Sequence, residues 1–328
     1  MKKVITLAKE LKKSITLFLK MIFYNTICKG WIELFGSHDS RKLKYRISLC
    51  LIFKNEAPFL KEWIDYHLTI GVDHFYLYNN NSDDEYLTIL KPYIEEEKVT
   101  LIEWPEQNSQ FKAYKHCFET YRSESNWISF IDADEFICPK YETDVKEWIR
   151  KFDKYHAINI HWLMFCTGGV LKHDYSRNVI EQYFTSWNQL SDHGKTIINT
   201  RFEISNWNTW YPHHHTYMKR RIFGVKTVVP AVNQFGYICT INKTWGGGKN
   251  KLENSTIQIN HYFTKAWDIW ASKMEKTDVL TAVNPKSDIN YFYKYELKAN
   301  TFNYQISRFF IKLKILQGVL QIKHDGSK

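Results

Sequence analysis

A chain of 328 residues with 44% hydrophobic and 16% aromatic content can bury a sizeable core, which excludes a disordered chain. Lys and Arg number 45 against 35 Asp and Glu, which favours anionic partners; with no RNP, zinc-finger or helix-turn-helix signature, nucleic acid is not expected among them. The six cysteines, Cys28, Cys50, Cys117, Cys138, Cys166 and Cys239, form no Cys-X-X-Cys pair, which argues against a zinc site or disulfide framework and for a reducing, cytoplasmic setting.

In residues 1–43, Leu7, Leu11, Ile15, Phe18 and Ile22 recur at helical spacing, with Lys2, Lys3, Lys9, Lys12, Lys13 and Lys20 around them. The continuous apolar part, Leu17 to Phe23, contains Lys20 and falls short of the ~20 residues of a membrane span. No small-residue cleavage site follows, so a signal peptide is not expected. A basic amphipathic helix lying on an anionic membrane surface is the expectation, with packing on its own domain as the alternative.

Lys44 to Phe53 then reads as a central strand, and Phe59 to His67 as a helix. The turn between them places Asn55 and Glu56 at the carboxyl edge of a sheet, where open α/β sheets bind ligands. A second strand, His74 to Tyr78, leads through a polar turn into a helix over 85–93; capping alone also explains Ser82 to Asp84. A strand over 99–104 and a helix over 110–121 follow. This alternation predicts an α/β domain over 44–265, a mostly parallel sheet with helices on both faces.

Trp127 to Pro139, WISFIDADEFICP, begins as a buried strand and meets three acids, Asp132, Asp134 and Glu135, as its apolar run ends. Such acids repel one another and are costly to desolvate without a cation between them. In an extended chain Asp132 and Asp134 leave on the same face, and their hard oxygens suit Mn²⁺ or Mg²⁺. A solvated turn or cap is the bland alternative for any Asp-X-Asp. Glu181 and Asp192, further on, are candidates for a general base.

Adjacent histidines His213, His214 and His215 point alternately in an extended chain, which disfavours a shared ion and leaves a loop near an acceptor site. Gly246 to Gly248 lack the Walker spacing and read as a flexible loop. Ile257 and Ile259 alternate with polar residues before His261, a strand end. Residues 266–328 are expected to be a helical region. Its last helix, from Tyr304, has Ile306, Phe309, Phe310, Leu313, Leu316 and Leu320 as a stripe suited either to lipid or to the core.

The segment CLIFKNEAPFLKEWIDYHLTIGVDHFYLYNNNSDD, then PYI, EWP, Gln110 and WISFIDADEF, resembles glycosyltransferase family 92 and its bacterial family 2-like relatives. GKTIINT, HHH and INHYFTKAW extend the resemblance across roughly residues 46–276. It implies a glycosyltransferase-A fold, a nucleotide-sugar donor (a UDP-sugar first of all), a glycan or glycolipid acceptor and inversion at the anomeric carbon. It implies a cation held by Asp132 and Asp134 and completed by His261, and a role for Glu135 toward donor-sugar hydroxyls. Asn55, Glu56 and Asp84 fall on nucleotide-binding positions, Lys195 on a phosphate-neutralising lysine, and Asn79 where the family's turn begins with Asp. Surface polysaccharide or lipopolysaccharide assembly, peripheral to the inner face of a bacterial membrane, is the cellular role expected. A non-catalytic carbohydrate-binding protein, and a metal-dependent phosphotransferase or nuclease, use the same residue types and stay open at this point.

Overall fold

The computed structural model describes residues 2–205, 217–238, 252–275 and 284–321; the His213–His215 run and the Gly246–Gly248 loop lie outside them. The chain begins with helix α1 (Lys2–Ile22), a π-helical turn (Phe23–Cys28) and α2 (Lys29–Phe35). Strand and helix then alternate: β1 (Tyr45–Phe53), α3 (Ala57–Thr69), β2 (His74–Asn79), α4 (Tyr86–Glu95), β3 (Val99–Glu103), α5 (Gln110–Tyr121) and β4 (Ser125–Phe130). Next come β5 (Glu135–Pro139), α6 (Val145–Ile149), β6 (Ala157–Phe165), β7 (Thr185–Trp187), β8 (Gly194–Asn199), β9 (Tyr217–Ile222), β10 (Val225–Pro230) and β11 (Val232–Asn233). The chain closes with β12 (Ile257–Tyr262), α7 (Trp267–Glu275), α8 (Ile289–Glu296), β13 (Ala299–Phe302) and α9 (Phe310–Leu316).

The main sheet runs β13-β7-β6-β8-β4-β1-β2-β3. Its first-translated half, β4-β1-β2-β3, is parallel, as helical crossovers require. The other half is antiparallel from β4 through β8, β6 and β7 to β13, so the sheet is mixed. Alternate residues of β1 and β2 feed two cores on opposite faces: Leu49, Leu51, Phe75 and Leu77 on one, Cys50, Tyr76 and Tyr78 on the other. Trp63 and Ile64 of α3 fill the first, and Tyr114 and Phe118 of α5 the second. Each fully buried large side chain contributes about 1.5–3 kcal/mol.

Two expectations change. The acidic segment is not one strand: β4 stops at Phe130, residues 131–134 turn, and β5 leaves to pair antiparallel with β12, with Glu135 opposite His261. The region after 265 is not a separate helical unit, because β13 joins the sheet beside β7. Part of the C-terminal stripe packs on the core: Ile306, Phe309 and Leu313 are buried, Lys312 donates to the Thr69 carbonyl, and Lys314 sits 2.9 Å from Glu181, while Leu316 and Leu320 stay exposed.

At the other end, α1 keeps Leu7, Leu11, Ile15 and Phe18 more than half exposed. The helical arm is latched further along, where the Asn25 amide exchanges hydrogen bonds with Ile238 at 2.8 and 2.9 Å. No described helix is long and apolar enough to cross a membrane.

Candidate active site

The parallel strands converge on the turn after β4, and five hydrogen bonds fix its backbone. Glu135 N–H donates to the Asp132 carbonyl at 3.1 Å, and the Glu135 carboxylate accepts from Asp132 N–H at 2.9 Å. The Trp63 indole N–H of α3 reaches the carbonyls of Asp132 and Glu135 at 3.1 and 3.0 Å. Tyr262 N–H of β12 donates to the Asp134 carbonyl at 2.8 Å. A turn so pinned on both sides holds its side chains with little freedom.

Because the segment turns, the two aspartates face different partners instead of leaving one extended face. Asp132 accepts from Lys195 Nζ at 2.8 Å, with Tyr114 OH and Gln110 at 3.4 and 3.5 Å. Asp134 lies 3.4 Å from His261 Nε2 and 3.3 Å from Lys273 Nζ. Glu135 is fully buried, with Lys195 at 3.5 Å from one oxygen.

Burial shifts each group, and the neighbours decide the outcome. For Asp134, burial would raise the pKa, but His261 and Lys273 outweigh it and hold the carboxyl well below its usual range. Glu135 is pushed well above its usual value by burial, which Lys195 opposes and the Asp132 and Asp134 charges reinforce. Lys195 is buried, yet Asp132 and Glu135 raise its pKa, so it stays cationic. The expected phosphate-neutralising lysine is therefore an internal counter-ion beneath the acid turn. Gly194 precedes it because no side chain fits: a Cβ there would lie 2.0 Å from the Ile160 carbonyl oxygen.

Among the described residues, no three His, Cys, Asp or Glu side chains converge as a ready ligand set. Asp134 and His261 are the pair whose donor chemistry fits a divalent cation, while Asp132 is turned to Lys195. His261 Nδ1 and Glu135 Oε1, 3.9 Å apart, are buried without hydrogen-bond partners. The imidazole is thus not tied to a fixed partner on that side.

Asp132, Asp134 and His261 open into one cleft of about 760 Å³, which Glu56, Gln110 and Asp192 also line. Asn55, Asn79 and Asp84 are used differently. Asn55, at φ 56°, takes Asp83 N–H on its side-chain oxygen at 2.9 Å, tying the loop after β1 to the loop after β2. The Asn79 oxygen, at the position where the family's turn begins with Asp, accepts Ser82 N–H at 2.9 Å, and its amide donates to Glu103 and Tyr86. Asp84 accepts Ala57 N–H at 2.8 Å, at the start of α3. All three bond to the scaffold, while the other oxygen of Asp84 is buried without a partner. Glu181 is likewise corrected: it forms a capping box with Asn178 and pairs with Lys314, outside the cleft lining.

Sequence reasoning missed the opposite wall. Trp187 of β7, Tyr291 and Lys294 of α8, and Lys298 just before β13 line it, and Lys273 of α7 and Trp162 line the cleft beside Asp134 and His261. Nothing local in their spacing marks them, since they arrive from strands and helices far apart in the chain.

The chain matches the profile of Glycosyltransferase family 92 over residues 45–297. It is 38% identical to a glycosyltransferase family 92 protein of Arabidopsis thaliana over 113 residues, 32% of this chain and 19% of that one. A family 92 protein of Ricinus communis aligns over 251 residues at 24% identity, 75% of this chain and 40% of the relative. The galactan beta-1,4-galactosyltransferase GALS2 of Arabidopsis thaliana is 29% identical over 140 residues, 39% of this chain and 27% of that one. The chain spans from about a fifth to two fifths of the length of the curated relatives it matches. Among solved structures, S. aureus TarS 1–349 in complex with UDP aligns with 47% of each chain at 12% identity and a TM-score of 0.31. Glucosyl-3-phosphoglycerate synthase from Mycobacterium tuberculosis aligns with 48% of this chain and 57% of its own, at 13% identity and a TM-score of 0.29. The architecture is α/β, a mixed sheet with its acid turn at the carboxyl edge of the parallel strands. By its match across most of its length, this chain belongs to glycosyltransferase family 92.

Proposed function

We propose that the chain is a metal-dependent glycosyltransferase that moves a hexose from a UDP-sugar to a glycan or glycolipid acceptor with inversion. One observation carries this reading: Asp132, Asp134 and His261 share a cleft at the carboxyl edge of the parallel strands. The galactosyltransferase names among the relatives support a hexose. Asp134 and His261 would hold Mn²⁺ or Mg²⁺, which supplies positive charge against the leaving diphosphate. Lys273, beside Asp134, adds a second cation on the same wall. Asp192, exposed in the loop between β7 and β8, lines the cleft and takes the proton of the acceptor hydroxyl for in-line attack. Glu135, Lys195 and Trp63 act by positioning the turn.

The test is release of uridine diphosphate from a panel of UDP-sugars with Mn²⁺, with and without oligosaccharide acceptors. Donor-selective release with transfer supports the proposal. No release with any donor favours a non-catalytic sugar-binding protein, and strand cutting or phosphate transfer without sugar transfer favours the phosphotransferase or nuclease reading.

The exposed Leu7, Leu11, Ile15 and Phe18 of α1, with Lys9, Lys12, Lys13 and Lys20 on the same helix, support docking on an anionic lipid surface. A peripheral position at the cytoplasmic face of a membrane, in surface-glycan assembly, is the cellular setting we propose.

A further inference from the structure

The far wall of the cleft carries positive charge that the protein itself does not neutralise. In the sheet order, β7 and β13 are separated from β1 and β2 by β6, β8 and β4, so this wall lies away from the turns after β1 and β2. It presents Lys294 and Lys298. Lys298 Nζ rides 4.5 Å from the Trp187 ring centroid, and Lys294 Nζ 5.9 Å from that of Tyr291. Among the described residues neither Lys294 nor Lys298 has a carboxylate within salt-bridge range. The acids of that wall are turned elsewhere: Asp288 caps α8 at Asn290 N–H, and Glu296 accepts from Thr167 and Thr264.

The donor side differs. There the two lysines nearest the acid turn are matched, Lys195 with Asp132 and Lys273 with Asp134, while Lys54 lines the cleft at the end of β1. Unmatched like charges in a concave site raise the local potential and concentrate anions.

We propose that the α8–β13 wall is an acceptor subsite for an acidic glycan, one bearing phosphate or carboxylate groups, with Lys294 and Lys298 reading the charge. This rests on the transferase reading of the cleft. The shared chemistry is an anionic oxygen cluster on a saccharide, and a phosphate ester and a uronate are its two sources.

The experiment measures binding to the whole chain by calorimetry at low and at physiological salt. Its probes are galactotetraose, its 6-phosphate ester, a tetramer of galacturonic acid, and UDP with Mn²⁺. Tighter binding of one or both acidic tetramers than of the neutral one is expected; the arm that wins identifies phosphate or carboxylate as the recognised group. In the Lys294→Gln/Lys298→Gln double variant the acidic tetramer should weaken about tenfold while the neutral one is unmoved, as befits loss of two solvent-accessible ion pairs. Equal affinity for neutral and acidic tetramers in the unaltered chain would overturn the proposal. So would a parallel loss of UDP affinity in the double variant, which would assign the lysines to the donor. Absence of any UDP binding would instead fault the transferase reading, and the tetramer arms would still read the lysine wall.

Discussion

The two halves of the cleft are built by opposite means. The donor half is made of consecutive strand-turn-helix units, and its turns are tied to one another by short-range polar side chains: Asn55 to Asp83, Asn79 to Ser82, Asp84 to Ala57. Around the acid turn Lys195 and Lys273 are paired with Asp132 and Asp134. The half proposed for the acceptor is assembled from β6, β7, α8 and β13, segments that meet only after antiparallel pairing, and Lys294 and Lys298 remain open to the cleft. A half tied together by short-range bonds suits the constant donor we propose, and an open, cationic half the varied acceptor.

The comparison can be broken by removing a charge from the acid turn. Asp134→Ala takes away the carboxylate shared by His261 and Lys273, and activity should fall about 10²- to 10³-fold, the scale for losing one electrostatic element of an active site. Mn²⁺-dependent UDP affinity should fall with it, in calorimetry, while the circular-dichroism spectrum is kept. Unchanged affinity would remove Asp134 from the cation site.

Lys195→Met tests whether the turn depends on its buried counter-ion. The change leaves Asp132 and the buried Glu135 facing each other, and breaking a buried pair costs about 3–5 kcal/mol. A urea midpoint equal to that of the unaltered chain would show that Lys195 is not an internal counter-ion.

Acid titration sharpens the comparison, because each half encloses a neutral histidine. His67, under the acid turn, and His156, in the antiparallel half, are both pushed down to about 3 by burial. Between that value and the usual 6.5 the unfolded chain binds a proton the native chain refuses, so stability present above pH 6.5 is lost on acidification. Each histidine contributes a slope of about 1.4 kcal/mol per pH unit. Glu62 works against this: burial raises it from 4.5 to about 7, so in that window the native chain keeps a proton that the unfolded chain sheds. His74, pushed down to about 4 by burial, adds to the histidine side, so net loss should begin below about pH 6.5 and steepen below about pH 4.5, where Glu62 no longer opposes it. Two separate unfolding transitions by tryptophan fluorescence, instead of one, would mean that the halves do not share a cooperative core.

The smallest expected effect concerns α1, which belongs to neither half. Deleting residues 1–20 should abolish cosedimentation with phosphatidylserine vesicles, each surface lysine being worth about 1 kcal/mol there, and leave UDP binding as it was. Retained cosedimentation would place the lipid contact elsewhere.

The alternation of β1 to β4 with their helices was readable because each element announces itself locally, by period and by turn residues such as Asn55 and Pro58. The acids at Asp132 and Asp134 were readable for the same reason. Their geometry was not. Whether a run such as FIDADEF stays extended depends on whether β5 pairs with β4 or leaves for β12, and β12 lies more than a hundred residues further on. Lys195 looked like a surface or phosphate lysine because its burial arises from the β8 position between β4 and β6. Glu181 offered the right functional group but became the partner of Lys314 once α9 packed against α3.

Residue order alone determined the α/β class, the acid turn's composition, the amphipathic arm and the family resemblance, since all of these follow from contacts within a few residues or from motif order. Only the tertiary structure decided which polar groups face the cleft and which are spent inside. That choice is made by long-range strand pairing and burial, which set the partner and the dielectric of each charge after the local sequence has been fixed.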